Sequence, residues 1–223
     1  MKFIVKFSSL FAGLAALFMV AGLERPHNNH TQGLSSYHAS WVAWEEQVFD
    51  RSLQELQNQE SLYERDLQQR ITQLVSRYKT GLKTDHLANL PERIVYESKK
   101  YDYDPLFLTA VIITESSFNN WARSNKGALG LMQILPTTGK ALAGEAHVKW
   151  KGNPTLYDPE ANIALGAYYL NKLVLRFGDL GLALEAYNHG PSQLRRYLRK
   201  GYRPNRYSQK VFKHYNRLRS QSI

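Results

Sequence analysis

The chain has 223 residues, 43% of them hydrophobic, which is enough for one domain with additions or for two small domains. It has no cysteine, which excludes a disulfide framework, a thiolate metal site, a cysteine nucleophile and a cysteine-linked lipid anchor. Its 29 Lys and Arg against 19 Asp and Glu leave a formal net charge of +10, which suits an anionic partner without naming one.

Lys2 and Lys6 precede residues 7–23, an apolar run in which Ser8 and Ser9 are the polar members. A positive flank followed by such a run is the pattern of an export signal. Residues 1–23 are therefore expected to be a signal peptide or an uncleaved membrane anchor. Val20-Ala21-Gly22 is an imperfect cleavage site. As a helix, residues 7–23 would reach roughly 25 Å, the short end of a bilayer crossing, so both fates stay open. In either case the rest of the chain is exported. Residues 24–40 are polar, with Pro26, Gly33, His27 and His30, and read as a flexible linker with solvated histidines.

Residues 41–84 form an amphipathic helical segment. Phe49, Leu53, Leu56, Tyr63, Leu67, Ile71, Leu74 and Tyr78 are spaced mostly by three and four, with no Gly or Pro between them. Glu60 falls on that stripe, which argues against a continuous coiled-coil seam. The segment reads as a helix packed on its own domain, or as a stalk of roughly 55 Å holding the next domain off a membrane.

The pattern breaks over residues 80–90. Helix starts follow at Asn89 with Pro91, at Asp104-Pro105 and at Asp158-Pro159, each a capping side chain beside a proline suited to a first turn. Further helices are predicted at 136–143, 180–188, 191–199 and 205–219. No convincing alternating strand is visible, so residues 85–223 are expected to form a mainly helical domain. Residues 24–90 carry 7 basic and 9 acidic side chains, whereas residues 91–223 carry 20 and 10. No acid follows Glu185, while ten Lys and Arg do, with Tyr197, Tyr202, Tyr207, Phe212 and Tyr215 among them. In an exported chain this tail reads as a solvated basic face rather than a nucleic-acid site.

Residues 106–113 are apolar on nearly every side, so their helix should be buried. Glu115 stands at its C-terminal end. The negative pole of the helix and apolar surroundings both disfavour a carboxylate there and raise its pKa, as a general acid requires. On these residues alone, a solvent-facing helix end and a catalytic acid are both open.

Three ordered blocks add to this. Residues 115–136 read ESSFNNWARSNKGALGLMQILP, residues 156–173 LYDPEANIALGAYYLNKL, and residues 184–190 LEAYNHG. They resemble the soluble-lytic-transglycosylase catalytic domain, a lysozyme-like fold. The first block matches through Glu115, Ser116, Phe118, Ala122, Ser124, Gly127, Ala128, Gly130, Leu131, Met132, Gln133 and Pro136. The later blocks match through Asp158, Pro159, Asn162, Gly166, Tyr169 and Leu170, and through Ala186, Tyr187, Asn188 and Gly190. The resemblance covers roughly residues 86–215.

The resemblance implies cleavage of peptidoglycan between N-acetylmuramic acid and N-acetylglucosamine, with Glu115 as acid and then as base. The product is a 1,6-anhydro ring and no water is consumed. Ser124 matches a cleft serine that polarises the N-acetyl group, and Gln133 a saccharide-binding glutamine. Tyr187 matches a tyrosine whose hydroxyl reaches the catalytic Glu. Gly127 and Gly130 are expected to let backbone approach the sugar, Met132 to pack and Asn188 to hold local backbone. The chain departs from the pattern at His189, where Ala is common. It departs again at Arg203-Pro204-Asn205-Arg206, which lacks the acid usual before a tyrosine matching Tyr207. Glu145 and Glu185 read as surface groups. No metal or cofactor is implied, and the partner is the glycan strand, with membrane association through residues 7–23. The alternatives are a goose-type hydrolytic lysozyme, an inactive peptidoglycan-binding module and a membrane-tethered polyanion binder.

Overall fold

The computed structural model describes residues 34–220, in two units that meet between Glu55 and Leu56. The expected signal or anchor lies outside the described residues. Among those described, no helix is long and apolar enough to cross a membrane. Helix α1 runs Leu34–Val75, so helix already occupies the last residues of the expected linker, whose earlier part is also undescribed. In the first unit Trp41, Trp44, Phe49 and Leu53 are exposed, and the two tryptophan rings meet edge to face at 5.9 Å.

In the second unit the apolar stripe of α1 turns inward, and Leu67, Ile71, Leu74 and Val75 are buried. Glu60 interrupts the stripe because it faces Lys99 of α2, whose Nζ lies 2.7 Å from Glu60 Oε1 and also contacts Glu64. These groups are largely exposed, so the pair contributes little to stability.

Helix α2 spans Thr84–Lys99 and encloses Pro91. This corrects the start expected at Asn89. The first turn is already closed by the Leu87 N–H on the Lys83 carbonyl, and burial of Leu90, Ile94 and Val95 outweighs the bond that Pro91 removes. Helix α3, Pro105–Ser116, starts as predicted: Asp104 Oδ1 accepts the Leu106 N–H at 2.8 Å, and Pro105 occupies the first position. All its residues from Pro105 to Ile113 are buried. Leu108, Val111 and Ile112 have no exposed surface, and such burial stabilises by about 2 kcal/mol per side chain.

Then come α4 (Pro136–Leu142), a 3₁₀ turn (Asn153–Tyr157), α5 (Pro159–Phe177) and α6 (Leu180–His189). Helices α7 (Pro191–Arg199) and α8 (Arg206–Ser220) complete the described fold. Asp158 caps α5 through the Ala161 N–H, and Asp179 caps α6 through the Leu182 N–H. Helix α3 packs on α2 and α8, α5 on α2 and α6, and α6 on α7 and α8. The Tyr215 hydroxyl donates to Asp104 Oδ2, tying α8 to the start of α3. Strand structure among the described residues is limited to isolated bridges in the loop after α3. The domain is mainly helical, as expected.

Candidate active site

Glu115 occupies the last turn of α3 and is half-buried. The Tyr207 hydroxyl, from the first turn of α8, donates to Glu115 Oε1. Lys210 stands one turn further along α8. Burial pushes the Glu115 carboxyl up to about 7, outweighing the Tyr207 hydrogen bond and the Lys210 charge, which favour the anion. No acidic side chain is among the groups that set this balance. Burial and the neighbouring Glu115 charge hold the Tyr207 phenol well above its usual range, so it remains a donor.

The loop from Ser117 to Leu135 folds back onto the end of α3. Ser117 and Phe118 take left-handed backbone at φ 51° and 61°, which turns the chain sharply off α3. Phe118 is fully buried and packs on Tyr78. The Ser116 hydroxyl donates to the Leu131 carbonyl at 2.8 Å. Bridges pair Arg123 with Leu129 and Leu129 with Ile134. Asn162 of α5, fully buried, clasps the loop from behind: its Nδ2 donates to the Leu129 carbonyl at 3.0 Å and the Leu156 carbonyl at 2.8 Å, while Oδ1 accepts the Met132 N–H at 2.7 Å.

Ser124 is half-buried and accepts the Ala128 N–H at 3.0 Å, which leaves its own proton to donate. Gln133 sits at φ 50°, and its Nε2 donates to the Ala122 and Gly130 carbonyls at 3.0 and 2.9 Å. Both amide protons are thus committed to the loop, and its Oε1 accepts no hydrogen bond among the described residues. Met132 is fully buried against Gly166. A Cβ at Gly166 would stand 2.4 Å from Met132 Sδ.

Several expectations change here. The Tyr187 hydroxyl feels the Glu115 charge but donates to the Met132 carbonyl at 2.8 Å, so it braces the loop, and the hydroxyl that donates to Glu115 is that of Tyr207. The last helix therefore reaches the acid although Arg203-Pro204-Asn205-Arg206 lacks the usual acidic residue. Gly130 is needed inside the protein: at φ 80°, a Cβ there would lie 2.2 Å from the Leu156 carbonyl oxygen and 2.3 Å from Asn162 Nδ2. Gly127 has open space around it and is required by its φ of 79°. Asn188 is exposed and holds no backbone group by its side chain among the described residues.

Glu145 is a surface group, paired with Lys172 and Tyr168. Glu185 is not: it has no exposed surface. His189 is half-buried beside it and meets the Tyr197 ring edge to face. The apolar neighbours Ala183, Leu184 and Ala186 were the sequence signal for a buried Glu185. Tyr207 lacked such a signal, because its role depends on how α8 crosses α3.

These features define a mainly helical, lysozyme-like domain with a raised-pKa acid at the end of its buried helix. The family model for the transglycosylase SLT domain matches residues 92–210, and the chain belongs to that family. It is 40% identical over 102 residues to a transglycosylase of Enterobacteria phage PRD1, a match covering 46% of this chain and 35% of the phage protein. It is 36% identical over 94 residues to membrane-bound lytic murein transglycosylase E of Buchnera aphidicola, covering 41% and 42% of the two chains. Among solved structures it is similar to an inactive mutant of the lytic transglycosylase Slt from Pseudomonas aeruginosa, with 30% identity, a TM-score of 0.51, and coverage of 57% of this chain and 23% of that one. The matched part thus spans less than half the length of each of these relatives.

Proposed function

We propose that the chain is a peptidoglycan lytic transglycosylase that cleaves the β-1,4 bond between N-acetylmuramic acid and N-acetylglucosamine without water. The observation that carries this reading is Glu115, held near pKa 7 by burial at the end of α3, in a chain of the SLT family. Protonated Glu115 gives its proton to the glycosidic oxygen as the bond to C1 of the muramic sugar breaks. The resulting carboxylate accepts the proton of the 6-hydroxyl as that oxygen bonds to C1. The products are an N-acetylglucosamine terminus and a 1,6-anhydro ring, and Glu115 ends protonated as it began. One carboxyl group serves both halves, where most glycosidases use two. Tyr207 steadies the anion between them. The free Ser124 proton suits the N-acetyl carbonyl, and Gln133 Oε1 suits a sugar hydroxyl.

The test is mass spectrometry of the products from purified sacculi. Muropeptides ending in 1,6-anhydromuramic acid, absent with Glu115→Gln, are the expected result. Reducing ends heavier by one water would make the chain a hydrolytic lysozyme, and binding without release would make it a docking module. Such a substrate places the chain in the cell envelope. Membrane tethering through residues 7–23 predicts that the full-length chain sediments with membranes and that a chain starting at residue 24 does not.

The two tyrosines separate by pH. Tyr207→Phe is expected to lower kcat about tenfold, the effect of one hydrogen bond to a charged group. It also removes a contact favouring the Glu115 anion, so the acid keeps its proton longer and the alkaline limb of the kcat profile moves to higher pH. Tyr187→Phe is expected to lower the melting temperature while leaving that limb in place, since its hydroxyl serves the Met132 carbonyl. A limb that moves with Tyr187→Phe and not with Tyr207→Phe would reverse these roles.

A further inference from the structure

Helix α6 carries an acid that the reaction does not use. Glu185 lies among Ala183, Leu184 and Ala186 and has no exposed surface. A carboxylate so placed is costly unless its oxygens find donors. Oε1 finds two, the Ser208 backbone N–H at 2.7 Å and the Ser208 hydroxyl at 2.9 Å. The same hydroxyl lies 3.0 Å from the Asn205 carbonyl. Oε2 faces His189 Nε2 at 3.4 Å and accepts no hydrogen bond.

Ser208 is the third residue of α8, and its N–H belongs to the first turn, where a helix has no internal acceptor. The first amide served within the chain's own turn is that of Gln209, which donates to the Asn205 carbonyl. Glu185 therefore does for α8 what a capping side chain does for most helices, but from a neighbouring helix, and its negative charge meets the positive pole of α8. No acid follows Glu185 in the sequence, so the C-terminal part has no carboxylate of its own for this task. The residue next to the capped amide is Tyr207, whose hydroxyl is on Glu115.

We propose that Glu185 is a positioning residue for the catalytic acid: by capping the first turn of α8 at Ser208, it holds the Tyr207 hydroxyl on Glu115. The kinetic part of this inference rests on the transglycosylase reading. The groups that face Glu185 are His189 on its own helix and Ser208 and Tyr207 on α8. Those that face Glu115 are Tyr207 and Lys210 on α8 and Tyr187 on α6. Without the cap the first turn of α8 loosens and Tyr207 leaves the acid. Glu115 then loses a donor that favours its anion and holds its proton to higher pH.

The experiment compares Glu185→Ala, Glu185→Asp and Glu185→Gln, each alone and with Tyr207→Phe. It reads kcat, KM and the carbon-13 titration of the Glu115 carboxyl. Ala removes the acceptor, Asp withdraws it by one methylene while keeping the charge, and Gln keeps an acceptor for the Ser208 N–H. With Ala and Asp, kcat is expected to fall about three- to tenfold with little change in KM. The Glu115 titration and the alkaline limb both move upward, and Gln restores most of both. On a Tyr207→Phe background the Glu185 changes add nothing further, because both act through one hydroxyl.

If Glu185→Ala does not fold, Glu185→Asp carries the comparison. A Glu115 titration that stays at its wild-type position in either folded variant would overturn the proposal, as would effects that multiply with Tyr207→Phe. The titration needs no turnover. A chain that cleaves no glycan would sink the proposed function while leaving the positioning role separately measurable.

Discussion

Glu115→Gln is expected to reduce turnover of peptidoglycan by about 10³-fold or more, the upper part of what a positioned acid–base group supplies. Gln has the shape of Glu and can accept the Tyr207 hydroxyl, so the loop and glycan binding should persist. It cannot donate the proton that the leaving oxygen needs. No acidic side chain is among the groups that set the protonation of Glu115.

The same substitution has a second expected result, of opposite sense. The carboxyl titrates near 7 in the folded chain and near its ordinary value of 4.5 when unfolded. Between those values the unfolded chain releases the proton while the folded chain keeps it. Native stability therefore declines as pH rises from 4.5 towards 7, and the full cost remains above. Glu115→Gln lacks that cost. It should melt with the wild type near pH 4 and above it at pH 8, by on the order of 1–3 kcal/mol. Paired activity assays and melts at the two pH values check both. A variant that turns over comparably would remove Glu115 from the mechanism. A stability advantage over the wild type no larger at pH 8 than at pH 4 would remove the burial argument for its pKa.

Asn162→Leu is expected to cause the largest loss of stability, about 3–5 kcal/mol. The side chain is fully buried and serves three backbone groups at once: the Met132 N–H and the Leu129 and Leu156 carbonyls. Leu fills the same space but satisfies none of them, and each orphaned group costs about 1–3 kcal/mol. Gly130 offers the loop no alternative, since Asn162 and the Leu156 carbonyl already fill the space around it. Denaturant titration would show the loss as a lower midpoint. In the fraction that remains folded, KM should rise more than kcat falls. The loop that presents Ser124 and Gln133 is freed, while Glu115 stays on its helix. A midpoint within about 1 kcal/mol of the wild type would show that the loop is held by other contacts.

Much of this arrangement is local and therefore legible in a single chain. The apolar run that buries α3, the Asp-Pro starts at Asp104 and Asp158, and the acid at the end of a buried helix are all written in neighbouring residues. Local rules failed where distant packing outweighed them. Helix α2 runs through Pro91 because Leu90, Ile94 and Val95 are buried around it. The break at Glu60 was visible in the sequence of α1, but its partner, Lys99 of another helix, was not.

Residue type and spacing alone determined a helical domain and the absence of thiol chemistry, since these depend on composition and on contacts within a few residues; they left Glu115 open between a helix-end surface group and a catalytic acid, and the resemblance of three ordered blocks to a known family chose between them. Which tyrosine meets Glu115, what Gly130 is for and where Glu185 lies were decided only by tertiary structure. Tyr207 is 92 positions from Glu115, and Ser208 is 23 from Glu185. A hydrogen bond is set by atoms within about 3 Å, and the crossing of α3, α6 and α8 that brings them there is not encoded in the periodicity of any one helix.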